Sequence, residues 1–195
     1  MSIEVNNESG VAVDEAQLVT LSRFIFERLY IHPQAELSIL LVDEPAMEKL
    51  HIELMDEPGA TDVLSVPMDE LTPGTPDKPT PQGMLGDIAI CPQVAEVQAR
   101  NAGHATQDEM LLLTTHGILH LLGFDHAEPE EKEEMFGLQR ELLSEFLGKD
   151  APWRPCSDLD HPGRHGAGFP QLRCTADRSR GCVQLPAPGM RPNNQ

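Results

Sequence analysis

Thr115-His116-Gly117-Ile118-Leu119-His120-Leu121-Leu122-Gly123-Phe124-Asp125-His126 is the stretch from which the rest of the chain can be read. Spaced four apart, His116 and His120 stack one turn above the other on a single helix face. Gly123 supplies a residue able to turn left-handed, which ends the helix and brings His126 back towards the same point. Three imidazoles without a thiolate leave a fourth coordination position for water, as in a catalytic zinc rather than a structural one. The stretch predicts one Zn2+ per chain, held by His116, His120 and His126.

The spacing H-x-x-x-H-x-x-G-x-x-H is that of the metzincin peptidases, with one departure. In those enzymes the residue after the first histidine is the glutamate that serves as general base. Here it is Gly117. The metal helix survives the comparison, whereas peptide cleavage does not follow from it. A lone histidine pair on a leucine-rich helix is as readily a satisfied core pair as a metal site. The third histidine, the glycine and the adjacent Asp125 tip the balance towards metal.

The chain has 195 residues, enough for one domain with a substantial core. It contains no run of eighteen or more apolar residues, and its first residues have neither a basic nor an apolar leader segment, so a soluble cytoplasmic protein without membrane contact is expected. The formal charge of −18 divides unevenly: residues 1–150 carry −21 and residues 151–195 carry +3. So acidic a body repels polyanions at long range, which argues against indiscriminate nucleic-acid binding and against DNA as a partner. A local groove remains open to it.

Periodicity and punctuation place the elements. Residues 2–8 read as a strand, and Asp14 caps a helix to Leu29 with Leu18, Leu21, Ile25 and Leu29 on one stripe. Residues 36–42 read as a buried strand, and Pro45 opens a short helix through Leu54. Two strands, Val63–Pro67 and Leu85–Ile90, flank a loop rich in proline, of a length found where loops are disordered or functional. Helices follow from Pro92 to Ala102, from Gln107 through the histidines, and from Pro129 to Leu147, the last with acidic residues at its start, where the helix dipole favours them. Residues 151–195 hold seven prolines and five glycines without apolar periodicity, which predicts a disordered tail after a domain of residues 1–150. Its cysteines and histidines match no zinc-finger spacing.

The motif H-G-x-L-H-L-x-G-x-D-H resembles that of the YbeY family of bacterial endoribonucleases. The segments Thr61–Pro67, Leu85–Ile90 and Glu134–Gln139 agree with it, and the resemblance runs in order from residue 1 to about 148. It implies an α+β fold with a small mixed sheet packed with helices, and a zinc on His116, His120 and His126. It further implies single-strand-specific RNA cleavage, maturation of the small-subunit ribosomal RNA 3′ end, a part in ribosome quality control, and the small ribosomal subunit as partner. One departure is Met55, where members commonly carry an arginine; Arg100, Lys49 or Lys78 would have to replace it at the phosphate.

Two carboxylates are candidates for the chemistry. Asp125 could orient an imidazole or take a proton from a metal-bound water, or it could simply cap the turn after Gly123. Asp87 lies in an apolar strand, where an unpaired carboxylate is costly, so a partner near the site is expected for it unless it is a plain edge residue. Ser65 reads as structural. Besides an endoribonuclease, two other functions are compatible with the residues: a metallopeptidase, opposed by Gly117, and a non-enzymatic ribosome assembly factor with a structural metal.

Overall fold

Asp14 Oδ1 accepts the backbone N–H of Gln17 at 3.0 Å and starts helix α1 (Glu15–Arg28) where the sequence places it. Asp43 does the same for α2 (Glu44–Met55), accepting from Ala46 at 2.9 Å, with the expected proline, Pro45, in the first turn. The computed structural model describes residues 2–56 and 58–148, together with the backbone of 182–184. Strands β1 (Ser2–Asn7), β2 (Glu36–Leu41), β3 (Val63–Pro67) and β4 (Met84–Ile90) interleave with these helices and are followed by α3 (Pro92–Ala102), α4 (Thr106–Leu121) and α5 (Pro129–Leu147).

The sheet is mixed. Its order is β1-β2-β4-β3, with β1, β2 and β4 parallel and β3 antiparallel to β4. A short strand β5 (Cys182–Gln184) runs parallel to β3 along its outer edge, Val63 opposite Cys182. Apart from that strand, the expected structureless tail of residues 151–195 lies outside the described residues.

Helix α4 is the spine of the molecule. Every residue from Glu109 to Leu121 is buried, so the helix has no solvent face; a helix enclosed on all sides belongs to a core. It packs on β3 and β4 and against α1, α3 and α5. Ser65 of β3 and Ile88 of β4 are partners in register and both face α4, because a Cβ on Gly117 would lie 3.0 Å from Ile88 and 3.1 Å from Ser65 Oγ. A second apolar cluster of Val42, Met47, Leu64, Cys91 and Val94 forms apart from the main core and includes Met55 and Ala89 at its border.

The end of α4 turns on Gly123. Its φ is +86°, its N–H donates to His120 O at 3.0 Å, and Phe124 N–H donates to Leu119 O at 3.1 Å. That pair of bonds is a Schellman closure with glycine at the left-handed position. A Cβ there would meet nothing within 4 Å, so the cost of replacing it is purely backbone strain. Gly123→Ala should lower unfolding free energy by about 1 kcal/mol, with urea denaturation as the measurement; an unchanged midpoint would show that the turn does not need the left-handed conformation.

Candidate metal centre

The turn at Gly123 delivers His126 to the two histidines of α4. The ligating nitrogens of His116, His120 and His126 all lie within 4.8 Å of one another, and all three residues are buried. No other group of this kind occurs among the described residues. The three histidines singled out by their spacing are thus brought together in space, in an arrangement that could hold a metal ion.

Each α4 imidazole is held from behind. His116 Nδ1 lies 2.8 Å from Gln139 Oε1 on α5, and His120 Nδ1 lies 3.0 Å from the backbone carbonyl of Phe124. Both partners are acceptors, so in this arrangement each Nδ1 carries the proton and each Nε2 a lone pair. The two Nε2 atoms are 2.9 Å apart. At that distance either one ring donates a proton to the other or both lone pairs face a common cation, and neutral imidazoles are what a divalent transition metal accepts. Burial holds the His116 imidazole well below the ordinary histidine range, with His120 and His126 pushing the same way against the opposing bond to Gln139. It is thus neutral, as a ligand must be. The donor set fits a metal ion.

Helix α5 closes the centre. The ring of Phe136 sits 5.7 Å from that of His116 and 5.9 Å from that of His126. Phe136 and Gln139 are one turn apart and both buried. Neither is singled out by the sequence analysis, although a glutamine between Met135 and Leu142 on an apolar stripe is a visible signal of a buried polar contact.

The two candidate carboxylates part company. Asp125 is half-buried, its Oδ1 accepts the backbone N–H of His126 at 2.7 Å, and it lines a cleft of about 300 Å³ with Phe124, Glu131, Glu134 and Pro73. It shapes the turn and borders the centre at once. Asp87 is elsewhere: side chains alternate along a strand, so with Ile88 facing α4 the neighbouring Asp87 points to the other face of the sheet. The sequence expectation places a partner for Asp87 near the histidines, and this register sets its side chain on the sheet face opposite to that of Ile88. Ser65 is structural as expected, donating to Gly117 O at 3.3 Å.

The proline-rich loop between β3 and β4 is ordered by backbone bonds to the end of α1, Gly74 N–H to Leu29 O at 2.9 Å and Thr80 N–H to Tyr30 O at 3.0 Å. Its Pro73 thereby walls the cleft. Met55, at the position of the family arginine, borders the second apolar cluster. Of the suggested replacements, Arg100 is bonded to Glu96 at 2.9 Å and Lys49 to Glu53 at 3.8 Å on the surface.

A sequence profile described as Endoribonuclease YbeY matches residues 3–147. A protein of Paenarthrobacter aurescens (strain TC1) carrying that same description is 98% identical over 152 residues, 78% of this chain and 97% of its own length. One from Renibacterium salmoninarum, described alike, is 72% identical over the same shares of both chains. A solution structure of a Thermotoga maritima protein aligns with a TM-score of 0.53 at 28% identity, covering 84% of this chain and 99% of that one.

The Gly117 contacts generate a direct test of the absent peptidase base. Gly117→Glu places a carboxylate between α4 and Ile88, so it should lower stability by about 3 kcal/mol through overpacking and charge burial and confer no casein hydrolysis. Denaturant unfolding and a casein assay check both; a variant of wild-type stability would contradict the close approach.

Proposed function

As the chain belongs to the YbeY endoribonuclease family, we propose that it is a zinc-dependent, single-strand-specific endoribonuclease that acts in the cytoplasm on ribosomal RNA. Its task in this reading is maturation of the small-subunit 3′ end and ribosome quality control, with the small ribosomal subunit as partner. The observation that supports the metal dependence is the convergence of three buried imidazoles whose ligand nitrogens all lie within 4.8 Å of one another.

His116, His120 and His126 would hold the ion. When bound, a zinc with an open position supplies a Lewis acid for the phosphate and lowers the pKa of its water towards neutrality. The remaining work falls to the chain. In this reading Asp125, which lines the cleft and is the chain neighbour of His126, accepts a proton from the attacking water. Phe136 excludes solvent from one side of the imidazoles. The peptidase alternative lacks a base at Gly117, where even a Cβ would be tight against Ile88 and Ser65.

RNA must reach this centre against a charge of −21 on residues 1–150. Delivery by a ribosomal partner answers that repulsion, and cleavage of free RNA should be slow and weaken as salt rises. A single strand suits the cleft because its backbone can bend into a site built around one ion.

Metal-loaded and chelated protein, incubated in parallel with labelled single-stranded RNA, duplex RNA and casein, tests the reading. The expected result is chelator-sensitive cutting of the single strand with duplex and casein intact, and a loss of about a hundredfold in Asp125→Asn. Casein hydrolysis without RNA cleavage would favour the peptidase. Inactivity on all three, even with ribosomes supplied, would favour a non-enzymatic assembly factor.

A further inference from the structure

Gln139, His116, His120 and Phe124 form a row of polar contacts through the centre. Gln139 Oε1 is 2.8 Å from His116 Nδ1, the two Nε2 atoms are 2.9 Å apart, and His120 Nδ1 is 3.0 Å from Phe124 O. Gln139 is 2% exposed and His116 fully enclosed, so the contact between them is shielded from water. The row ends on a backbone carbonyl, which only accepts. His120 is thereby fixed, with its proton on Nδ1 and a lone pair on Nε2.

His116 has two neutral forms, and the row accommodates both. With the proton on Nδ1, donated to Gln139 Oε1, its Nε2 lone pair faces that of His120 and the pair is open to a cation. With the proton on Nε2, His116 donates to His120 Nε2 across the same 2.9 Å and its Nδ1 becomes an acceptor. That second form needs a donor where Gln139 Oε1 now stands. A carboxamide rotated by half a turn provides one, its N–H₂ replacing its C=O at nearly the same position. An apolar side chain provides neither partner.

We propose that Gln139 is a positioning residue whose carboxamide turns with metal occupancy, donating to His116 Nδ1 when the site is empty and accepting from it when the site is filled. The exchange is neutral overall: one imidazole proton leaves Nδ1 for water and one arrives on Nε2 from water, with no change in charge. In the empty state a continuous chain, Gln139 to His116 to His120 to Phe124, gives each ring nitrogen of the two α4 histidines a partner. The apo centre is then stable without an ion, and the filled centre has both lone pairs presented. The inference rests on the metal reading of the three histidines.

Nitrogen-15 spectra of the full chain, with and without Zn2+, read the His116 tautomer directly. The expected result is Nε2–H in the metal-free protein and Nδ1–H once zinc is bound. Chelator competition should show zinc held about 10-fold to 100-fold more weakly in Gln139→Leu, with Gln139→Glu recovering the wild-type affinity by restoring an acceptor. Metal-free Gln139→Leu should still melt in a single cooperative transition, at a lower midpoint because His116 Nδ1 loses its partner, and the His116 tautomer is the readout that a purely structural role would not move. Nδ1–H in both states, or undiminished zinc affinity in Gln139→Leu, would overturn the proposal while leaving the metal site intact. A wild-type protein that takes up no zinc would overturn the metal reading itself.

Discussion

Helix α4 is enclosed on every side and yet carries two histidines one turn apart. Buried imidazoles need partners, because an unpaired polar group in a core costs on the order of 1–3 kcal/mol. The structure provides them from the two segments that follow α4 in the chain: the Phe124 carbonyl of the turn and the Gln139 amide of α5. Once those bonds are made, the inner nitrogens face each other and His126. The candidate metal centre thus coincides with the place where a buried helix satisfies its polar side chains, through bonds to the turn and to α5.

On its other side α4 is held by the sheet, and there the constraint is steric. Gly117 lets the helix approach Ile88 and Ser65 so closely that a Cβ would already be tight. Proximity to the sheet and a general base at that position exclude one another. The chain shares a histidine spacing with the metzincin peptidases and differs from them at the residue where their proton transfer takes place. Asp125, on the turn, lines the cleft together with Glu131 and Glu134.

Local signals in the sequence carried far. Asp14 as a helix cap, Gly123 as a left-handed closure and the three histidine spacings each depend on a few neighbouring residues, and each stands in the structure as read. Asp87 shows where that reach ends. Strand alternation is plain in Leu85–Ile90, but which face meets α4 is set by Gly117 packing on Ile88, a contact between residues far apart in the chain. Gln139 is hidden for a related reason. Its polarity on an apolar stripe is visible, whereas its partner, 23 residues earlier, is fixed only by how α5 lies on α4. The outer pairing of β3 with Cys182–Gln184 has no signal in a segment without apolar periodicity.

The central claim is that three histidines and no other side chains hold one metal ion. X-ray absorption of the zinc-loaded full chain, with elemental analysis of wild type and His120→Ala, tests it most directly. The account predicts one zinc per chain, a shell of nitrogen and oxygen at about 2.0–2.1 Å without sulfur, and a sharp loss of metal in His120→Ala. A sulfur shell at about 2.3 Å, or equal zinc content in the variant, would contradict it.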